Sequence, residues 1–500
     1  MFYLWTMTQD KHTSNGNGKP AGTIAKLGAG STAGVLETTV SFRTGDGLQR
    51  HGSIVRTTLH SAHFEVYDST LVLKLSDVLD KFEIQFQGRV SYRGRAVVRG
   101  LVESGFRLAC EVKLNEESWC GLNPSSVLSR TGQPALEFKD FLNEWQKLCR
   151  VQPAFKSAAI DLLTFFADAQ IWLNQLEMSL GTMPPESRER AERDMLTELK
   201  PLFIQATTGI TERFEHALNQ VERDLLPVHQ SFVRRFLHPV TQCSPFMHRA
   251  YEKPLGYAGD FEVVDMMFRD PFQGSSFFAK LLNAYALQLP PVVAHRNRIE
   301  YLLNMLAGES LRALARGRQA QVFNLGCGPA REVQQFVAGS ELSHHASFVL
   351  ADFEEKSLVY TNRVLQELKQ RHHRRTLVKT KRVSVAQLIK EADRRDRHGT
   401  PGEYDVVYCA GLFDYLTDTI CRQLLEVFYG MLAPDGLLVA TNVDVHPAIN
   451  QMECFLDWHL QYRNPQAMRE LVPAAARSAE VAVKCDASGA NVFLEVRKPA

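Results

Sequence analysis

The chain has 500 residues, more than one hydrophobic core usually organises, so its length predicts two or three domains. Hydrophobic residues make up 45% of the chain and charged residues 23%, values that are typical of globular proteins and disfavour a disordered or a membrane class. The 57 Lys and Arg residues are balanced by 56 Asp and Glu residues. Because there is no overall positive charge to attract polyanions, we expect no nucleic-acid partner.

Cysteine spacing and the N-terminal segment bear on the cellular compartment. The nine cysteines include no Cys-x-x-Cys pair and no Cys/His cluster at zinc spacing, which predicts free thiols in a reducing compartment and no metal site. The opening MFYLWTM is too short for the apolar part of a signal peptide, and no apolar run approaches the roughly 18 residues of a membrane span. We therefore expect a cytoplasmic protein without stable membrane insertion.

Two N-terminal regions differ in composition. Residues 8–32 are rich in Gly, Ser, Thr, Asn and Lys, which predicts a disordered tail at residues 1–32. Residues 33–118 contain short runs of β-branched and aromatic residues, such as AHFEVY and FEIQF, which predict a small β barrel or sandwich. This region resembles bacterial barrels of the PilZ type, which bind cyclic di-GMP, but it lacks the ordered R-x-x-x-R and D-x-S-x-x-G motifs of that family. The resemblance therefore implies a degenerate barrel that does not bind the nucleotide.

Residues 135–310 predict a helical linker and substrate-side region. Helical periodicity begins with Phe138, Leu142 and Trp145, and the Pro pair in GTMPPESRERAERD suits a helix start. The apolar stripes of these helices suit an internal bundle and a homodimer interface equally. One segment is unusual: YEKPLGYAGDFEVVDMM, at residues 251–267, has three helix breakers among aromatic and charged residues.

Residues 311–500 alternate short apolar strands with helices, beginning with QVFNLG and ASFVLAD. This alternation predicts the α/β fold class, with a doubly wound sheet that binds ligands at the carboxyl ends of its strands.

Three strand ends carry candidate ligand-binding residues. The first strand ends in VFNLGCGPAREV, where Gly326 and Gly328 allow a tight turn before a helix. Arg331 departs from the G-x-G-x-x-G dinucleotide fingerprint, so we expect no pyrophosphate there. Asp352 ends the second strand, where its carboxylate can accept hydrogen bonds from both ribose hydroxyls; a helix-capping aspartate is the simpler alternative. The fourth strand runs into GLFDYL, at residues 411–416.

These motifs, in this order, resemble those of class I S-adenosylmethionine-dependent methyltransferases. The resemblance implies a Rossmann-like methyltransferase domain at residues 311–500, with S-adenosylmethionine as cofactor. Asn324 stands where the family usually has an acidic residue, and Ala330 where it usually has a third glycine. The cofactor-binding residues that the resemblance implies are Asn324, Gly326, Cys327, Gly328, Asp352, Phe353, Ser384, Val385, Ala410 and Gly411.

A narrower resemblance begins upstream of this domain. YEKPLGYAGDFEVVDMM, AHRNRIEYLLNML, LGCGPAREV, AGLFDYL and FLDWHLQYR together resemble bacterial methyltransferases that synthesise 3-hydroxypalmitic acid methyl ester, a quorum-sensing signal. The resemblance implies a small-molecule or lipid acceptor, the carboxylate of a 3-hydroxy fatty acid. Since that group is ionised near neutral pH, its methylation needs positioning and water exclusion and no general base. The residues expected to orient it are Lys253, Tyr257, His446 and Arg463, with Trp458, His459 and Tyr462 as further candidates.

The sequence is compatible with two other functions. A hydroxyl or amine acceptor would need a general base, for which His446 beside Asp444 is the candidate. The chain is alternatively a non-catalytic signalling protein whose α/β domain binds S-adenosylmethionine or nothing. The intact glycine loop and Asp352 favour the enzyme.

Overall fold

A computed structural model defines the fold of most of the chain. The predicted tail at residues 1–32 lies outside the described residues. The described residues are 38–43, 49–66, 73, 76–86, 89–104, 107–115, 118–120, 138–139, 142–143, 146, 151–396 and 402–500.

Six antiparallel strands form a closed barrel, which confirms the predicted N-terminal β region. The barrel order is β1-β2-β3-β6-β5-β4. Alternate residues of β3 are buried, as expected for strands with one face toward a core. Aromatic side chains fill the interior, with Phe64 and Phe82 ring centroids 5.6 Å apart. The strands are β1 (Thr38–Arg43), β2 (Gln49–Thr57), β3 (Ser61–Val66), β4 (Val78–Phe86), β5 (Arg89–Ser104) and β6 (Arg107–Leu114).

Helices follow the barrel, as predicted. Pro184 precedes the second helix and Pro185 begins it, because proline suits a position whose N–H has no partner within the helix. Among the described residues, no helix is both long and apolar enough to cross a membrane. The helices are α1 (Pro153–Leu180), α2 (Pro185–Asn219), α3 (Leu226–Thr241), α4 (Pro245–Glu252), α5 (Phe261–Met266), α6 (Phe277–Ala286) and α7 (Pro290–Ala315).

A seven-stranded sheet confirms the predicted doubly wound α/β architecture. Its order is β12-β13-β11-β10-β7-β8-β9, with β7 to β11 parallel and β13 antiparallel to both of its neighbours. Because β8 and β10 flank β7 on opposite sides, the topological switch point lies at the carboxyl end of β7, where such sheets bind ligands. The strands are β7 (Ala320–Leu325), β8 (Ala346–Asp352), β9 (Leu377–Arg382), β10 (Tyr404–Cys409), β11 (Leu432–Val443), β12 (Glu480–Cys485) and β13 (Asn491–Arg497).

The segment after β11 packs with the upstream helices. Phe455 stacks on Phe214 of α2 at 5.6 Å between ring centroids, and Met452 and Trp458 join the same apolar core. We call residues 153–289 together with residues 449–460 the cap. The remaining helices are α8 (Arg331–Gly339), α9 (Glu355–Arg371), α10 (Val385–Asp396), α11 (Asp418–Met431), α12 (Ile449–Leu456) and α13 (Pro465–Arg469).

The described cysteines agree with the predicted free thiols. Eight of the nine are described, and all eight are unpaired.

Candidate functional site

A cavity of about 390 Å³ lies between the carboxyl ends of the parallel strands and the cap. Its volume is within the range of roughly 300–1,000 Å³ that is usual for small-molecule sites. Residues that follow β7, β8, β9 and β10 form one wall, and apolar residues of the cap form the other. The cap wall includes Phe246, Val264, Met267, Leu289, Met452 and Leu456.

The loop after β7 is held against the end of β8. The backbone N–H groups of Gly326 and Cys327 donate to the carbonyl oxygen of Ala351, at 2.8 and 3.1 Å. Gly326 and Gly328 have φ values of +69° and +51°, a region that glycine enters without steric cost. The predicted glycine turn is therefore present and its backbone faces the cavity.

Asp352 is fixed beside this loop. Its Oδ2 accepts from the N–H of Gly328 at 2.9 Å, and its Oδ1 accepts from the N–H of Glu354 at 3.0 Å. Burial raises the pKa of Asp352, and these backbone donors oppose the rise. Each carboxylate oxygen keeps a second lone pair, so Asp352 can accept further hydrogen bonds from a ligand in the cavity.

Buried polar side chains support the loop from behind. The Tyr408 hydroxyl donates to Glu332 Oε1 at 2.6 Å, and Asn324 Nδ2 donates to the same oxygen at 3.2 Å. Burial raises the pKa of Glu332. Asn324 Oδ1 is buried on the cavity wall and has no partner among the described residues. A buried acceptor without a partner is costly, so this atom is suited to a ligand donor.

Arg298 of α7 is a buried cation on the same cavity. Its side chain lies against Gly411, with guanidinium nitrogens 3.0 Å from where a Cβ on that glycine would be. One of these nitrogens bonds to His295 Nδ1. Burial lowers the pKa of Arg298, and the charges of Asp414 and Glu332 oppose that effect. Within the described part of the chain no carboxylate forms an ion pair with it, so this buried cation is suited to an anionic ligand.

Three side chains on this cavity carry buried donor atoms without partners among the described residues. Arg298 Nε, His295 Nε2 and Asn491 Nδ2 all lack a hydrogen-bond partner among the described residues. Burial and the neighbouring Arg298 lower the pKa of His295, so its ring is neutral; because Nδ1 accepts from Arg298, Nε2 carries the proton. We call these three residues the donor set. Each of the three donors is suited to a ligand carboxylate.

The unusual segment at residues 251–267 closes the cavity from the cap side. Gly259 has φ +71°, and a Cβ there would lie 2.8 Å from the Trp458 ring and 2.9 Å from the Tyr415 hydroxyl. Trp458 Nε1 donates to that hydroxyl at 2.9 Å. Tyr257 packs on Phe353, with ring centroids 5.2 Å apart. The breakers in this segment therefore permit close contact between the cap and the strand ends.

The expected cofactor residues line one cavity, with a single exception. Ser384 lies outside the lining, and its Oγ accepts from the N–H of Gln387 at 3.3 Å, although Val383 and Val385 on either side are in the lining. The residues that line the cavity are Asn324, Gly326, Cys327, Gly328, Asp352, Phe353, Val385, Ala410 and Gly411.

Of the four residues expected to orient the acceptor, Tyr257 lines the cavity and the other three do not. Burial raises the pKa of Tyr257, so it remains a hydroxyl donor. Lys253 Nζ donates to the carbonyl oxygen of Asp457 at 2.7 Å. Arg463 is buried and donates to Asp418, Asn442 and two backbone carbonyls, which secures the loop after β10.

His446 is buried beyond the cavity lining, and burial lowers its pKa to about 4. Its Nδ1 accepts from the N–H of Ala448, whereas Asp444 accepts from the N–H of Val445. His446 and Asp444 thus bond to backbone groups. Of the further candidates, Trp458 lines the cavity and His459 and Tyr462 do not.

The donor set was not predicted from the sequence. His295 and Arg298 are three residues apart on α7 and therefore share a helix face, a spacing that was readable in AHRNRIEYLLNML. Asn491 gave no signal, because a polar residue at the start of a strand is most simply part of a turn.

Comparison with protein-family models finds no match, and comparison with curated proteins finds none either. Solved structures give matches of low identity. A possible exported protein from Bordetella parapertussis is 18% identical over 64% of this chain and 100% of its own, with TM-score 0.38. Magnesium protoporphyrin IX methyltransferase from Synechocystis PCC 6803, with bound SAH, is 12% identical over 41% of this chain and 84% of its own, with TM-score 0.30. N-methyltransferase NodS from Bradyrhizobium japonicum WM9, with S-adenosyl-L-homocysteine, is 16% identical over 50% of this chain and 100% of its own, with TM-score 0.29. All three TM-scores are below 0.5.

Proposed function

We propose that the protein is an S-adenosylmethionine-dependent O-methyltransferase that methylates the carboxylate of a 3-hydroxy fatty acid and produces a methyl ester signal. The observation that carries the proposal is a single cavity that joins a glycine loop and a fixed carboxylate to an apolar wall. Such a cavity can bind a polar nucleoside at the strand ends and an alkyl chain against the cap.

The residues at the strand ends fit the cofactor. The backbone of Gly326 and Gly328 would contact its amino-acid part, Asp352 its ribose hydroxyls, and Val383 and Val385 its adenine. Asn324 Oδ1, the buried acceptor without a partner among the described residues, would accept from the cofactor ammonium. Arg298 lies against Gly411 and near Glu332, so we assign it to the cofactor carboxylate.

The cap side fits an amphiphilic acceptor. Apolar side chains would contact an alkyl chain, at about 0.8 kcal/mol for each buried methylene group. The Tyr257 hydroxyl and the Asn491 amide are the donors that we assign to the acceptor carboxylate. Asn491 Nδ2 is buried without a partner among the described residues, so it would gain a hydrogen bond by donating to that carboxylate.

The chain itself contributes to the reaction by positioning the acceptor carboxylate and by excluding water. When bound, S-adenosylmethionine supplies an electrophilic methyl group, and an ionised carboxylate needs no base to accept it. The apolar cap removes water from the carboxylate, and Tyr257 and Asn491 restrict its orientation. The low pKa of His446 and its place beyond the lining agree with a reaction that needs no proton acceptor.

The proposal is tested by incubating the protein with methyl-labelled S-adenosylmethionine and 3-hydroxypalmitate. We expect label in the organic extract that mild alkali releases as methanol, because a methyl ester is base-labile and an ether or amine product is not. Tyr257→Phe removes one donor and should raise KM for the acceptor while cofactor affinity stays unchanged. Cofactor binding without transfer to any acceptor would contradict the proposal and favour the non-catalytic signalling alternative.

A further inference from the structure

A second, smaller cavity lies within the cap next to the main one. Its volume is about 20 Å³, and its surface is almost entirely carbon. Phe246, Leu289 and Leu456 line both cavities, so these three side chains form a partition between them. The walls beyond the partition belong to the cap core and include Leu162, Phe166, Met247, Leu282, Ala286 and Phe455.

Thr211, Tyr285 and Gln451 line the second cavity but not the main one, and we call them the floor of the second cavity. The hydroxyl groups of Thr211 and Tyr285 lie 3.0 Å apart, and the Tyr285 hydroxyl donates to Gln451 Oε1 at 2.8 Å. A chain end can therefore pack against this floor without breaking these hydrogen bonds, whereas the Oγ1 of Thr241, which also lines this cavity, has no partner among the described residues. One further carbon would have to break these hydrogen bonds, which costs more than the burial of a methylene group gains.

We propose that the second cavity is the subsite for the terminal carbons of the alkyl chain, and that the partition and the polar floor set the acceptor's chain length. The inference rests on the proposed function, since it requires an alkyl-chain acceptor in the main cavity. Space of about 20 Å³ is enough for roughly one or two carbons, because about 10–15 Å³ by this measure holds one water. Each methylene buried there should raise affinity about fourfold until the floor is reached.

Two substitutions change this subsite without touching the main cavity. Ala286→Leu fills the second cavity, and Leu282→Ala enlarges it. Ala284→Leu is the matched control, because Ala284 is equally buried on the same helix and lines neither cavity. Thermal melting of all three variants reports on folding, and if Ala286→Leu does not fold, Leu282→Ala carries the test alone.

The measurement is a chain-length profile from 3-hydroxydecanoate to 3-hydroxystearate, taken both as methyl-transfer rate and as displacement of a fluorescent fatty-acid probe. We expect Ala286→Leu to move the optimum to a chain about one or two carbons shorter, with a loss of roughly fourfold to fifteenfold on the wild-type optimum. Leu282→Ala should move it to longer chains, and Ala284→Leu should leave it in place.

If Ala286→Leu and Leu282→Ala both keep the wild-type chain-length profile, the inference is overturned even where methyl transfer is efficient. Absence of transfer at every chain length would instead contradict the proposed function, and the displacement profile would still decide whether the second cavity selects chain length.

Discussion

Gly256 and Gly259 lie three residues apart and both have positive φ values, of +84° and +71°. They differ in their surroundings. A Cβ on Gly256 would meet nothing within 4 Å, whereas a Cβ on Gly259 would overlap Trp458 and Tyr415. Substitution of the two glycines thus separates backbone strain from side-chain packing at the cavity wall.

We expect Gly256→Ala to lower the free energy of unfolding by about 1–2 kcal/mol, the cost of a left-handed alanine. Gly259→Ala should cost roughly 2–5 kcal/mol, because overpacking adds about 1–3 kcal/mol to the same strain. Urea unfolding measures both values. Equal losses in the two variants would mean that Trp458 and Tyr415 move aside without cost.

Asp352 should be essential for cofactor affinity. An amide has one oxygen where the carboxylate has two, so Asp352→Asn cannot accept from Gly328, Glu354 and a ribose at once. We expect S-adenosylmethionine affinity to fall about tenfold to hundredfold, as for loss of charged hydrogen bonds of about 1.5–3 kcal/mol. Isothermal titration calorimetry measures the change. Asp444→Asn, at the end of β11 and outside the cavity lining, is the control that should bind normally.

Arg298 tests the assignment of the cofactor carboxylate. Arg298→Gln removes a buried cation, and we expect it to weaken S-adenosylmethionine binding at least tenfold in the same titration. Arg312→Gln is the matched control, because Arg312 lies on the same helix but pairs with Asp435 at the surface. Normal cofactor affinity together with a raised KM for the acceptor would instead assign Arg298 to the acceptor carboxylate.

At the scale of elements, α2 and α12 meet through a buried carboxyl. Glu215 of α2 accepts from the N–H of Gln451 at 2.9 Å, and burial raises its pKa to about 7. Since its ordinary pKa is 4.5, the folded protein binds more protons than the unfolded chain between these values. Stability therefore falls as pH rises from about 4.5 to 7, by up to about 3 kcal/mol from this group.

Glu215→Gln should remove that pH dependence, because the amide oxygen still accepts from Gln451 and carries no charge. We expect the variant to match the wild type near pH 5 and to exceed it in free energy of unfolding near pH 8, where the wild-type carboxyl is charged. Urea unfolding at the two pH values measures the difference. Parallel pH profiles would show that solvent reaches Glu215.

The elements differ in how far the sequence predicted them. Strand and helix alternation, the glycine loop and Asp352 were readable, because hydrophobic period and turn chemistry are local. The cap was not, since Trp458 contacts Gly259 from about 200 residues away along the chain. Arg463 and Lys253 were expected beside the acceptor, but a charged residue has the same sequence signal whether it binds a ligand or, as here, Asp418 and Asp457.

At the scale of the whole molecule, the contact between Phe214 and Phe455 joins the helical region to the sheet's own insertion. We expect Phe214→Ala and Phe455→Ala each to lower the free energy of unfolding by about 3–5 kcal/mol. Because the rings touch, the double variant should lose less than the sum, by about 0.5–3 kcal/mol. Phe336→Ala, in the core of the sheet, should add to Phe214→Ala without coupling. Full additivity at 214 and 455 would mean that the two rings contribute independently.

The same contact has a consequence for synthesis on the ribosome. Phe214 emerges 241 residues before Phe455, which completes its burial. At roughly 5–20 residues per second, the nascent helices wait on the order of ten to fifty seconds with an uncovered apolar face. We therefore expect the yield of native protein to depend on chaperones that hold the nascent chain until residues 449–460 have been made.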